Sequence, residues 1–315
     1  MIFNIVRGVL MGNYVIKRVL LAIVTLWLVA SITFALMNMV PGGPFLSEKT
    51  PSEATLKALN EKYGLDQPKI VQYKNYMLKL LKGDMGPSLK QRGRNVSQII
   101  STGFKVSAKV GGISILLAVL IGVPLGSIAA LNRGKWIDNV IIVISTCGIA
   151  VPGFVVSTVL MMILSVKLGL LPTYGLSSPL HYIMPVAALA FYPSSYITRL
   201  MRSSMLEVLG QDYMRTAKAK GLSQFIMLFK HALRNAILPV VTYLGPLLAY
   251  TLTGSFVVEK IFTIPGLGSD FISSIVNRDY TLIMGTTIFL AFLIITMNLM
   301  VDIAYKLIDP RIKLR

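Results

Sequence analysis

The sequence predicts an all-α integral membrane protein: six transmembrane helices, with a small helical extracytoplasmic loop domain after the first span. Three observations carry that prediction. The 315 residues are 54% hydrophobic and only 14% charged, with mean hydropathy +0.70, far from the mixed composition of a soluble domain. The apolar residues gather into runs long enough to cross about 30 Å of hydrocarbon as helices. The basic residues fall between those runs, and the short basic loops come to one side once the chain is threaded through six times.

The first run, Val19 to Met39, carries no charge and follows Lys17 and Arg18. It is too long for the apolar core of a signal peptide, and it ends in Pro41-Gly42-Gly43-Pro44 rather than at a small-residue cleavage site. It is expected to be a retained span, with residues 1–18 in the cytoplasm. Residues 41–106 are polar and carry their own helix signals. Thr50-Pro51-Ser52-Glu53 reads as a capping box with proline at the first helical position. Leu56, Leu59 and Tyr63 then share a face, and Gly64 ends the helix. Asp66 and Pro68 begin a second helix in which Ile70, Tyr73, Met77 and Leu80 line up while Lys69, Lys74, Lys79 and Lys82 face out. The turn Gly83-Asp84-Met85-Gly86 closes this unit.

Further spans are expected at about Gly111 to Leu131, Val140 to Val166, Tyr182 to Leu200, Ala236 to Val258 and Leu282 to Ala304. Pro124, Pro152, Pro185, Pro193 and Pro246 interrupt them, which a bundle tolerates as kinks, and Pro152-Gly153 is either a hinge or a static kink. The short loop 132–139 carries Arg133 and Lys135. The loop 201–235 carries Arg202, Arg215, Lys218, Lys220, Lys230 and Arg234, and the tail 306–315 carries Lys306, Arg311, Lys313 and Arg315. The positive-inside rule puts all three in the cytoplasm, and with them both termini. The 41–106 segment is basic too, with eleven Lys or Arg against five acids, but it is long enough to cross with little regard to charge.

The formal charge of +18 raises nucleic acid as a partner, but no RNA- or DNA-binding signature surrounds it. Orientation and contact with the lipid bilayer account for it. Cys147 is the only cysteine and sits in an apolar run, so it reads as a buried small apolar residue and supports neither a disulfide nor a cysteine metal site. There is no HExxH, no GxxxxGK[ST] and no GxSxG. The chain is therefore expected to be non-catalytic, with no metal and no cofactor of its own.

Transport classes can be separated by where the charges lie. Proton-coupled carriers bury ionisable groups near the midplane, whereas Lys109, Arg199, Glu259 and Asp302 all fall near predicted span ends. No filter-like loop or charge ring suggests a channel. What remains is a path lined by Ser, Thr, Tyr, Asn and apolar groups, gated from elsewhere. The loop 201–235 is the place for that input. Thr216 to Lys220 are good helix formers, and Gly221 breaks or caps their helix. Beyond it Leu222, Ile226, Phe229 and Leu233 form an apolar stripe, with Ser223, Lys230 and Arg234 opposite. Docking on a partner and resting on lipid headgroups both fit such a loop.

The pattern Arg215, Thr216, Ala217, Gly221, Leu238 and Pro239 resembles the cytoplasmic "EAA" loop of permease subunits in binding-protein-dependent ABC importers. Arg215 stands at the acidic position and Thr216 at the first alanine, so the match departs from the strict consensus. Tyr63-Gly64-Leu65-Asp66-Gln67-Pro68, Gln72-Tyr73 and Gly83-Asp84-Met85-Gly86-Pro87-Ser88 are similar to the outer loop of the first permease (B-type) subunit of oligopeptide, dipeptide and nickel importers. Glu259-Lys260-Ile261-Phe262, Pro265-Gly266-Leu267-Gly268, Asn277-Arg278-Asp279-Tyr280 and Asp309-Pro310-Arg311 resemble the same group, so the likeness covers nearly the whole chain. Gly43 departs from it, an aspartate being common there.

The resemblance implies the type I ABC importer transmembrane fold over 107–305, in a bacterial cytoplasmic (inner) membrane. It implies a second related permease, two cytoplasmic ABC ATPase subunits that hold ATP and Mg, an extracytoplasmic binding protein, and a di- or oligopeptide substrate carried by alternating access. It assigns Arg215, Thr216, Ala217, Lys218, Ala219, Lys220, Gly221 and Leu222 to the ATPase contact, with Leu238 and Pro239 leading the lever into span five. The outer loop 41–106 and the segment 259–280 would face the binding protein. Import of nickel chelates or another small solute by the same architecture, and an ion-coupled carrier or channel of another class, are the alternatives.

Overall fold

The computed structural model describes residues 2–40, 42–45, 52–252 and 256–308, and of residues 2–15, 218, 224 and 301–308 it describes the backbone alone. Among the described residues all regular structure is helical, apart from one isolated bridge between Pro87 and Asn95. The first helix, α1 (Ile2–Met39), is followed by a hairpin of α2 (Glu53–Tyr63) and α3 (Lys69–Leu81). Ser52, not Thr50, caps α2: its Oγ accepts from the Thr55 N–H at 3.3 Å. Thr50 and Pro51 lie outside the described residues. Gly64 ends α2 in the left-handed conformation, as expected.

The packed side of α3 is Tyr73, Tyr76, Met77 and Leu80, set against Ala30, Phe34 and Met37 of α1. Ile70, expected to share that face, is exposed. The next helix, α4 (Val96–Leu131), starts before the predicted domain boundary at 106/107, so that boundary falls inside it.

The chain continues through α5 (Trp136–Ala150), α6 (Gly153–Leu160) with a π-helical extension Met161–Lys167, and α7 (Leu180–Leu209). Then come α8 (Asp212–Ala219) and α9 (Gln224–Ile226), which runs into a π-helical stretch Met227–Ala232. The last elements are α10 (Leu233–Ala236), α11 (Leu238–Leu252), α12 (Phe256–Ile261), α13 (Leu267–Val276) and α14 (Tyr280–Ile308).

At the centre α4 lies along α7, closely because glycines face it. A Cβ on Gly126 would fall 2.5 Å from the Thr198 carbonyl oxygen and 2.7 Å from Met201 Cβ. Lipid tails provide little hydrophobic drive between helices, so such small-residue contact is the main source of packing energy. Ile197, Met201 and Met205 of α7 form one core with Ala118 and Ala130 of α4 and Ala232, Ala236 and Val240 further on.

Four described stretches are long and apolar enough to cross a membrane: Ile16–Met39, Val96–Leu131, Leu238–Ile261 and Tyr280–Met300. The α5–α6 pair makes a fifth if counted as one span, but it bends by 102°. The expected single crossing from Val140 to Val166 is thus broken. Pro152 has no N–H to extend α5 and holds Val151 extended at φ −83°, ψ 122°. The remaining predicted span, Tyr182 to Leu200, lies within α7. This helix is long enough to cross but less apolar, because Tyr192, Tyr196, Arg199 and Ser203 form an outward stripe. Cys147 is exposed, contrary to expectation: Ser145 and Gly148 take the α7-facing side of α5, and Cys147 points away.

Candidate functional site

The segment between α7 and α11 is built around one short helix. Met214 and Ala217, three residues apart, turn inward from α8 and are buried, Met214 joining the α4–α7 core. Ala217, which the resemblance assigns to the ATPase contact, is thus one of the two buried residues of α8 among those described. Arg215, Thr216, Ala219, Lys220 and Gly221 are exposed and Leu222 is half-buried, while the side chain of Lys218 lies outside the described residues.

Gly221 ends the helix at φ +73°, and the Leu222 N–H reaches back to the Ala217 carbonyl at 3.3 Å. This six-residue closure is a Schellman cap, with glycine at the left-handed position. A Cβ on Gly221 would meet nothing within 4 Å, so glycine is required for its backbone angle and not for space. Arg215 and Asp212 pair at 3.5 Å in open solvent, a contact worth little. The Asn235 amide donates to Tyr213 Oη at 3.0 Å and ties α8 to α10.

Beyond Gly221 the predicted stripe is not the buried one. Ile226 and Phe229 are exposed together with Phe225, and the Phe225 and Phe229 rings lie 4.5 Å apart; Leu222 and Leu233 are only half-buried. The buried line runs through Ala232, Ala236 and Val240 instead. The π-helical stretch Met227–Ala232 has a wider turn and shifts the residues after it, Leu233 included, round the axis relative to an α-helical count, while Ile226 is exposed ahead of it. Ser223, Lys230 and Arg234 do face out. A single residue, Ile237, separates α10 from α11; the Ile237 N–H reaches Leu233 and the Val241 N–H reaches Ile237, so the rod is nearly continuous. Leu238 opens α11 and is exposed; Pro239 follows in the first turn, where the N–H donor it lacks would have no acceptor within α11.

A partly buried ion pair at the base of this segment escaped the sequence reading, which took Arg202 only as orienting charge. Arg202 Nε and Nη2 donate to Asp138 Oδ1 and Oδ2 at 2.6 and 2.7 Å, and the Gly134 N–H adds a third bond at 2.9 Å. Asp138 is buried in the first turn of α5. The pair therefore fastens the 132–139 loop to the part of α7 that leads into α8. An acid beside Arg133 and Lys135 was the available signal.

At the other end of the bundle two carboxylates gather sequence blocks that are far apart in the chain. Asp279 is buried and accepts from the Ser88 hydroxyl and from the backbone N–H groups of Leu89 (3.1 Å), Lys90 (3.3 Å) and Leu282 (3.2 Å). Thr281 Oγ1 donates to the Pro87 carbonyl at 2.7 Å, and Arg278 and Tyr280 both reach the Gly42 carbonyl. Glu259 is buried as well, accepting from Ser107 Oγ at 2.6 Å and from the Ser269 N–H at 3.0 Å. It fits because Gly266 is a glycine: a Cβ there would fall 2.4 Å from Glu259 Oε2.

These features match known proteins along nearly the whole length. Residues 122–314 match the family described as the binding-protein-dependent transport system inner membrane component, and residues 11–112 match the corresponding N-terminal family. The chain belongs to this family. The dipeptide transport system permease protein DppB of Bacillus subtilis is 48% identical over 304 residues, 96% of this chain and 99% of that one. The oligopeptide transport system permease protein OppB of Haemophilus influenzae is 41% identical over 305 residues, 96% of this chain and all of the relative.

Among solved structures, an inward-facing MetNI methionine ABC transporter superposes with a TM-score of 0.54 at 16% identity, covering 68% of this chain and 97% of that one. An amino acid ABC transporter gives 0.51 at 19% identity, over 69% and 95%. The fold is that of ABC importer membrane subunits. The protein is thus a multi-pass inner-membrane transport subunit, non-catalytic itself, whose family works with an ATPase and a substrate-binding protein.

Proposed function

We propose that the chain is one of two related permease subunits of an ATP-driven peptide importer, with both termini in the cytoplasm. Two ATPase subunits, holding ATP and Mg, grip the α8 segments and drive alternating access, and the binding protein delivers peptide at the hairpin end. The observation that carries this reading is α8: a capped, basic helix that shows Arg215, Thr216, Ala219, Lys220 and Gly221 to solvent while Met214 and Ala217 anchor it to the α4–α7 core. Force on that surface enters α7 on one side and, through the rod from Leu233 past Leu238 and Pro239, α11 on the other. Peptide as the substrate class follows the full-length similarity to dipeptide and oligopeptide permeases.

The outward stripe of α7 fits a solute path. Tyr196 packs on Tyr243 of α11 with centroids 4.4 Å apart, and Tyr192 lies one turn away. Between Ile113 and Leu131 the exposed residues of α4 are by contrast all apolar, Leu116, Leu120, Leu125 and Ile128 among them. Hydroxyls within a span belong against protein or water, leucines against lipid.

The test uses the assembled complex. Ala219→Arg, on the outward side of α8, is expected to abolish stimulation of ATP hydrolysis by the peptide-loaded binding protein while the chain still inserts. Unchanged stimulation would sink the coupling assignment. Purified alone into liposomes, the chain is expected to move no peptide along an ion gradient, the result that separates this reading from a self-contained carrier.

A further inference from the structure

We propose that α3 is an interfacial helix whose outward apolar sector is immersed in the acyl region of the leaflet at the hairpin end, the outer leaflet in the orientation proposed above. Around its axis α3 has three sectors. One is the side packed on α1, with Tyr73, Tyr76, Met77 and Leu80. A second, polar sector carries Gln72, Asn75, Lys79 and Lys82 and lines a cleft of about 930 Å³ together with the loops at Gly42 to Pro44 and Tyr63 to Leu65. The third sector is apolar and uncovered: Ile70 is 73% exposed, Leu81 82%, Leu78 49% and Val71 37%. At 100° per residue these four span about 100° of arc, with Lys74 among them and Leu78 bordering the cleft. The polar sector faces the loops that leave the outer end of α1, and the apolar sector faces away from them.

Depth along α1 decides what covers this sector. Tyr73 Oη is 2.7 Å from Ser31 Oγ, and the Tyr73 ring meets Phe34 at 5.4 Å. Ser31 lies eight residues before Met39, the end of the helix, which is about 12 Å below that end at 1.5 Å per residue. On the other side, the cluster that includes Tyr76 and Leu80 holds Met284 and Ile288, one and two turns into α14. The helix is thus seated against the spans below their ends, at a level where α1 itself exposes Leu28, Ile32 and Leu36. At that depth an apolar sector bordered by lysines matches the layering of lipid, acyl chains under the leucines and phosphates beside the ammonium groups, with Lys74 snorkelling. The cleft side of the hairpin stays free for the binding protein.

The experiment places single spin labels in the assembled complex in phospholipid vesicles, after Cys147→Ser. Labels at Ile70→Cys and Leu81→Cys are expected to relax several-fold more with oxygen than with a water-soluble nickel chelate, and labels at Asn75→Cys and Lys79→Cys the reverse. Nickel access at 70 and 81 equal to that at 79 would overturn the proposal in favour of a solvated surface. Shielding from both relaxants would overturn it in favour of a protein partner. Should a cysteine variant fail to assemble, Leu81→Trp fluorescence in vesicles of acyl-brominated phospholipid gives the same decision: quenching supports immersion, and its absence refutes it. Neither readout depends on ATP or peptide, so the result stands whether or not the importer reading does.

Discussion

The two ends of the bundle treat their polar groups in opposite ways. At the hairpin end, Asp279 and Glu259 are buried and their oxygens receive hydrogen bonds from within the chain. At the α8 end, Arg215 and Lys220 stand in solvent beside an exposed Phe225–Phe229 pair, with Met214 and Ala217 as inward anchors and the Asn235–Tyr213 hydrogen bond as a tie to α10. A buried carboxylate with several donors is costly to disturb, because each stranded N–H carries its desolvation penalty. A helix held by two buried side chains and one exposed hydrogen bond costs less to move. One end therefore satisfies its buried charges within the chain, and the other shows its charges to solvent.

The largest break in this comparison is expected from Asp279→Ala, which strands the Ser88 hydroxyl and the Leu89 and Leu282 N–H groups at once. A loss of about 3 kcal/mol or more is expected. It is measured as a fall in thermal midpoint of the detergent-solubilised chain, with Asp279→Asn falling less. If Asp279→Ala were neutral, the hairpin end would not be held by that carboxylate. Asp138→Ala comes next, at about 2 kcal/mol, since it leaves the Arg202 guanidinium partly buried and the Gly134 N–H unpaired. Its sharper signature is functional: with the 132–139 loop unfastened from α7, transport is expected to fall more than ATP hydrolysis. Equal losses would mean that the pair only stabilises. Gly221→Ala follows, at about 1 kcal/mol from the left-handed angle alone, because its Cβ meets nothing. Gly221→Asn is expected to recover part of this, read by the melting of the chain and by ATPase stimulation in the complex.

What the sequence made legible follows the range of the interaction. The Gly64 and Gly221 caps, the apolar runs and the exposure of Ser223, Lys230 and Arg234 depend on neighbours within one or two turns, and local pattern is enough to read them. The carboxylate clasps were not legible, because Asp279 meets Ser88 across 191 positions and Glu259 meets Ser107 across 152. The motif blocks were recognised, but nothing in a linear reading says that they touch. The later half of the stripe beyond Gly221 failed for a different reason: periodicity assumes 3.6 residues per turn, and the π-helical stretch at Met227–Ala232 breaks that count. At Pro152 the signal was present, and its size was not. A proline predicts a kink, while the 102° bend depends on how α5 and α6 each pack on α7.

The smallest expected effect, and the one of opposite sign, concerns an exception at the hairpin end. Tyr76 Oη is the one buried side-chain polar atom without a hydrogen-bond partner among the described residues. It lies by the α1–α3–α14 cluster of Met37, Met284 and Ile288, and burial pushes its phenol well above the ordinary tyrosine pKa. Tyr76→Phe keeps the ring and removes the stranded hydroxyl, so it is expected to be neutral or to stabilise by up to about 1 kcal/mol. The sign with pH is fixed by the raised value. In the unfolded chain the phenol ionises near 10, earlier than in the folded one, so the wild type loses stability as pH rises past that point and the phenylalanine variant does not. Melting curves of both proteins at neutral and alkaline pH check this: the gap in favour of phenylalanine is expected to widen with pH. A destabilised Tyr76→Phe would mean that the hydroxyl has a partner in the membrane, and that the hairpin end is not satisfied within the chain alone.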